Sequence, residues 1–104
     1  MKQAIYDEDK IKEQLQDPEQ ISIAFSLIVK QYSEQLYWQI RRLVLSHDDT
    51  NDILQNTFLK AWDSIQYFRG DAKISTWLYK IALNESLTFL NKQKLENNLS
   101  LDDK

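Results

Sequence analysis

Ile21, Ala24, Phe25, Ile28, Tyr32, Leu36, Ile40 and Leu43 recur at steps of three and four residues, with no glycine or proline between them. That spacing places all of them on one side of a helix of roughly seven turns, running to about Ser46. Its start is well marked: Asp17 can cap, Pro18 suits the first helical position, and Gln20 completes a capping-box-like spacing. Ser33 marks a candidate bend. The 104 residues include one glycine and one proline, which leaves few points at which helices can break. The fold class expected is therefore all-α, a compact bundle of about four helices with a long second helix. With 42% hydrophobic residues and no cysteine, the core must be built by side-chain packing rather than by disulfides or thiolate zinc sites.

Two further segments carry helical patterns. Residues 7 to 16 read as a short polar helix with Ile11 and Leu15 one turn apart, marginal by itself. Asp52 to Ile65 puts Leu54, Phe58, Ala61 and Ile65 on one stripe, which Ile53, Thr57 and Trp62 widen. The opposite face collects Asp52, Gln55, Asn56 and Asp63 around one large apolar side chain, Leu59. A leucine ringed by polar groups suits a docking surface, and equally an ordinary solvated face, since single exposed leucines are common. Asp48, Asp49 and Asp52 gather at the start of this helix, where capping and the helix dipole account for them without a metal. His47 reads as a solvated loop histidine with no nucleophile to serve.

The loop QYFRGDAK, residues 66 to 73, holds the single glycine. Gly70 permits a positive φ, and Tyr67 and Phe68 either staple the loop to the core or stand free for stacking. Asp71 or Ser75 can cap the last helix, which should extend to about Lys94 with Ile74, Trp77, Leu78, Ile81, Ala82 and Phe89 as its apolar arc. Thr76, Lys80, Asn84, Asn91 and Lys94 fall on another side, one donor per turn; such a stripe fits either a solvated face or contacts to bases and phosphates. Beyond Leu95 the periodicity is lost. The expected division is a helical domain over 1–95 and the start of a linker or disordered tail over 96–104.

The net charge of −3 is low for a chain that binds duplex DNA unaided. Its distribution is uneven: residues 66–95 carry Arg69, Lys73, Lys80, Lys92 and Lys94 against only Asp71 and Glu85, so an acidic first part adjoins a basic second one. Charges occupy the N-terminus where a signal peptide needs an apolar stretch, and no apolar run approaches a membrane span. A soluble, cytoplasmic protein is expected. No nucleophile-base pair, phosphate-binding glycine loop or metal-spaced ligand set is present, so neither an enzyme nor a cofactor nor a metal is expected.

The runs NDILQNTFLKAW and FRGDAKISTWLYKIALN resemble region two of bacterial RNA polymerase sigma factors of the extracytoplasmic-function group. The most specific parts are Asp52-Ile53-Leu54-Gln55, Phe58-Leu59-Lys60-Ala61-Trp62, Phe68-Arg69-Gly70 and Thr76-Trp77-Leu78-Tyr79, followed by Ile81-Ala82 and Asn84. The resemblance implies that Asp52, Gln55, Asn56, Leu59 and Asp63 dock on the clamp helices of the polymerase β′ subunit. It implies that the loop and the start of the next helix hold the promoter −10 element as single strand, with one base flipped into a loop pocket. Tyr67, Phe68 and Trp77 are the rings this implies for stacking; Arg69, Lys73, Thr76, Lys80 and Asn84 are the polar contacts. An anti-sigma factor joins RNA polymerase and promoter DNA among the implied partners. Asn56 departs from the glutamate common in relatives, and Lys80-Ile81 replaces the paired tryptophans of housekeeping sigma factors. The competing reading is a helical adaptor or decoy that occupies polymerase without melting a promoter.

Overall fold

The computed structural model describes residues 6–102, with the side chains of residues 6–98. Among the described residues there are four α-helices and one 3-10 turn: α1 (Glu8–Leu15), α2 (Ile21–Arg41), α3 (His47–Ser64), the 3-10 turn (Ile65–Tyr67) and α4 (Ile74–Asp102). The all-α bundle with a long second helix is thus what forms. Helices α2, α3 and α4 pack on one another, and α1 lies against α2.

Each helix boundary has a local cause. Asp7 caps α1 through a bond from the Lys10 N–H, and the buried Ile11 and Leu15 anchor this otherwise polar helix in the core. Asp17 does not cap α2: its carboxylate accepts from the Glu19 N–H at 2.9 Å within a turn over residues 18–20, and α2 begins only at Ile21, with Gln20 at its N-cap and no side-chain cap bond. Helix α2 stops short of the expected Ser46. At its end the Leu43 and Val44 N–H groups both reach the Ile40 carbonyl, and Arg41 donates to the Val44 carbonyl. This tight turn swings Val44 into the core at 2% exposure and leaves Leu43 at 39%, so Leu43 is not the core residue its spacing suggests. The Ser33 hydroxyl bonds the Val29 carbonyl one turn back.

Helix α3 starts at His47, well ahead of Asp52, because Ser46 is the N-cap: its hydroxyl accepts from the Asp49 N–H. The earlier start fixes the buried line as Thr50, Ile53, Thr57 and Ala61, while Leu54 and Phe58 are only half-buried. Two threonines are tolerated in the core because each hydroxyl donates to a carbonyl one turn back, at 2.8 Å. His47 is the first residue of this helix rather than a loop residue. Its ring lies 2.6 Å from the Tyr37 hydroxyl at Nδ1 and 3.0 Å from Asn51 Nδ2 at Nε2.

Helix α4 buries Ile74, Leu78, Ala82 and Ser86 at four-residue intervals. It does not end near Lys94 but continues to Asp102. Residues 91–98 are all exposed on that extension, which is why no apolar period announces it. Residues 103–104 of the expected tail lie outside the described residues.

Candidate functional surfaces

Asp52, Gln55, Asn56, Leu59 and Asp63 are all exposed on α3, spaced so that they form one stripe roughly 16 Å long. Leu59 is 60% exposed in the middle of it. The structure therefore brings all five together. It also adds Trp62, which the sequence assigns to the buried arc. That indole packs edge-on against Phe25 with centroids 5.1 Å apart, yet 42% of it remains open beside Leu59 and Asp63. Lys60, on the neighbouring side, pairs with Glu85 of α4 at 3.6 Å and is mostly solvated, a contact of small energetic weight.

The second surface lies where α3 runs into the 3-10 turn and α4 begins. Ser64, Tyr67, Phe68, Arg69, Asp71, Ala72, Thr76, Trp77 and Lys80 line an open cavity of about 270 Å³. Six of the eight residues nominated for DNA are in this lining; Lys73 and Asn84 are exposed but outside it. Asn84 follows Thr76 and Lys80 on the same stripe of α4, one turn past the cavity. The aromatic residues divide. Phe68 is 7% exposed and stacks on Trp77, with centroids 4.7 Å apart and planes 28° off parallel. Phe68 is thus a staple that holds the indole in place, not a free stacking surface. Tyr67, at 74% exposure, is the open ring. The cavity's charged groups are Arg69 and Lys80 against Asp71, a cationic excess facing an aromatic wall, which suits a planar ring attached to a phosphate.

The loop that frames the cavity depends on two features. Gly70 has φ +83°, in the left-handed region that other L-residues avoid. Neither Asp71 nor Ser75 forms the cap observed at the start of α4; Glu8 of α1 accepts the Ile74 N–H at 3.0 Å instead. Contacts from α1 to this loop were invisible in the sequence, because the partners lie more than fifty residues apart, as with Lys12 and Gly70, separated by 58 positions.

Among the described residues no cluster of three or more His, Cys, Asp or Glu is placed to hold a metal, and no described helix is long and apolar enough to cross a membrane. The class so defined is an all-α module with an open aromatic and cationic cavity beside a polar helix face.

The Sigma-70 region 2 family model matches residues 28–96, and the chain belongs to that family. It is similar to the ECF RNA polymerase sigma-E factor of Haemophilus influenzae, at 40% identity over 70 residues. It is similar to that of Escherichia coli K12 at 39% over 70 residues. Each match covers 67% of this chain and 36% of the relative, so the chain spans about a third of the length of these proteins. Among solved structures, an engineered region 2 of sigmaE in complex with GTAAAA matches with a TM-score of 0.72 and 30% identity, covering 90% of this chain and 95% of that one.

Proposed function

We propose that this chain is the polymerase-docking and promoter-reading domain of a bacterial transcription initiation factor. The Leu59 face of α3 holds the β′ subunit of RNA polymerase core. The cavity between Tyr67 and Lys80 takes a base of the melted −10 element, and Lys73 and Asn84 extend the contact along the strand. The observation that carries this reading is the cavity itself. It collects an open tyrosine, a braced tryptophan and two cations at one end of the bundle, and the bundle as a whole is similar to an engineered region 2 of sigmaE in complex with GTAAAA. Unstacking a base costs a few kcal/mol, and stacking on an aromatic ring returns about 1–3 kcal/mol; phosphate contacts from Arg69 and Lys80 offset the rest.

On this reading the protein is not an enzyme. It acts in the cytoplasm, where polymerase and promoter are, and an anti-sigma factor is a further partner. An adaptor that merely occupied polymerase would use the α3 face and leave the cavity without a role, which is why promoter reading is preferred.

The test is capture of core polymerase, and of an isolated β′ clamp-helix fragment, by wild type and Leu59→Asp. Loss of capture is expected, because docking would bury an aspartate in an apolar contact. Equal retention of both proteins would remove the α3 face from the proposal.

A further inference from the structure

The loop in front of α4 is held from outside by α1. Glu8 Oε2 accepts the Ile74 N–H at 3.0 Å, Lys12 Nζ donates to the Gly70 carbonyl at 3.0 Å, and Gln16 Nε2 donates to the Phe68 carbonyl at 3.4 Å. The three side chains are four residues apart, so they line one side of α1 and its last turn. Lys12 Nζ also lies 3.6 Å from Glu8 Oε2, which joins two of the contacts. Burial of Phe68 and Ile74 anchors the two ends of the loop, but the main chain between them has little else to hold it. Among the described residues, the turn and loop main-chain bonds near it are Phe68 N–H to Ile65 and Trp77 N–H to Lys73, and none involves residues 69–72. None of the three α1 side chains lines the cavity.

We propose that α1 is a positioning element for the cavity: Glu8, Lys12 and Gln16 fix the main chain of residues 68–74 and so set affinity and base selectivity for single-stranded DNA, without touching the DNA. This rests on the promoter-reading proposal above. A loop that samples many conformations binds only in the competent fraction of them, and apparent affinity falls in proportion to that fraction. Contacts to the main chain rather than to side chains suit the task, because they act on the path of the loop whatever bases it reads.

Charge makes the idea separable from direct contact. Glu8→Ala removes a negative charge near a site for a polyanion, so through-space electrostatics alone would tighten DNA binding; loss of positioning weakens it. Lys12→Met keeps the side-chain stem and removes the donor. A direct phosphate contact from Lys12 would appear as a lower salt dependence, by about 0.7 in the slope of log affinity on log salt for a single strand.

The experiment uses the full 104-residue chain, with Glu8→Ala, Lys12→Met, Lys12→Arg and Gln16→Ala. Anisotropy titrations against GTAAAA and a scrambled hexamer of the same composition are run over a salt series, with amide hydrogen exchange of residues 69–74 in the free protein. Thermal melts confirm folding, and Lys12→Met and Gln16→Ala leave both helix N-termini intact should Glu8→Ala prove unstable. The expected result is a roughly fivefold loss of GTAAAA affinity for each contact removed, the factor a net hydrogen bond commands. The ratio between hexamers should narrow, loop amides should exchange faster, the salt slope of Lys12→Met should stay unchanged, and Lys12→Arg should restore binding. Tighter binding by Glu8→Ala, a reduced slope in Lys12→Met, or faster loop exchange with unchanged affinity would each overturn the proposal. A wild type that treats the two hexamers alike defeats the promoter-reading proposal, and this one with it; that result shows before any α1 change is made.

Discussion

Replacing Ser86 by alanine should make this protein more stable, although the residue sits at the centre of the bundle. Ser86 is fully buried, and its hydroxyl has no hydrogen-bond partner. A hydroxyl buried without a partner costs about 1–3 kcal/mol by mutational measure. Alanine also gains roughly 0.5 kcal/mol as the better helix former in the interior of α4. Against this, removing one oxygen from a close-packed site forfeits dispersion contacts and leaves a small void, about 0.5–1 kcal/mol for a group of this size. The net expectation is a gain of about 1 kcal/mol, a rise in midpoint of roughly 4–8 °C for a domain of this size. Thr57→Ala is the contrast. That residue is equally buried, but its hydroxyl donates to the Ile53 carbonyl at 2.8 Å, and alanine removes a methyl as well, so a loss of about 1–2 kcal/mol is expected. Urea unfolding followed by circular dichroism measures both changes, provided the slope on denaturant is shared with wild type. A lower midpoint for Ser86→Ala would show that its oxygen is satisfied or that its packing outweighs its polarity, and the reasoning would fail.

Three other outcomes follow from the same geometry. At Gly70, an added Cβ would sit 3.6 Å from Lys12 Cδ without a clash, so Gly70→Ala should cost about 1–2 kcal/mol through φ alone; Gly70→Asn should cost less, and equal losses in urea midpoint would exclude a dihedral cause. Burial raises the Tyr6 and Tyr32 phenols above their ordinary values. The folded state then keeps protons that the unfolded chain releases near pH 10. Stability is therefore full below about that pH and falls as pH rises beyond it, with a flatter fall expected for Tyr32→Phe in chemical unfolding at alkaline pH. Lys80→Ala and Asn84→Ala should each lower promoter-specific transcription by reconstituted polymerase, but only Lys80→Ala should reduce the salt slope, by about 0.7; unchanged transcription in both would show that the reading stripe is misassigned.

What the sequence made legible was whatever repeats at short range. Helix α1 was readable from Ile11 and Leu15, and the body of α2 from its unbroken spacing. The start of α4 just after the glycine loop was equally clear. The misread features depend on partners distant in sequence or on caps that precede the apolar pattern. The start of α3 was hidden because Ser46 opens a polar first turn of His47, Asp48 and Asp49. The end of α2 was hidden because a tight turn of Leu43 and Val44 onto the Ile40 carbonyl, not a glycine, closes it. The cap of α4 belongs to Glu8, and no local pattern can show that. Within the cavity, Arg69 was nominated only through the resemblance to sigma region two, whereas Thr76 and Lys80 could be placed by helical spacing. The different fates of adjacent Tyr67 and Phe68 could not, because either ring could equally have turned inward to meet Trp77.

The two proposed surfaces share one rigid piece, since α3 continues through the 3-10 turn into the cavity wall. Leu59 and Tyr67 are separated by roughly 12 Å of helical rise, so docking one fixes the position of the other. This bears on the net charge of −3, which gives little long-range attraction for DNA. Tethering to polymerase supplies by proximity what charge does not: an effective concentration in the millimolar range for a site held within a short span. A cavity that binds a free hexamer weakly then suffices. The consequence is a crossed pattern of losses. Leu59→Asp should abolish promoter-dependent transcription while leaving affinity for free GTAAAA within about twofold, the error of an additive treatment of separated sites. Lys80→Ala should weaken the hexamer and leave polymerase capture intact. If Leu59→Asp weakened the free hexamer as much as Lys80→Ala does, the α3 face would be acting on the cavity itself, and division of labour between two surfaces would be the wrong description.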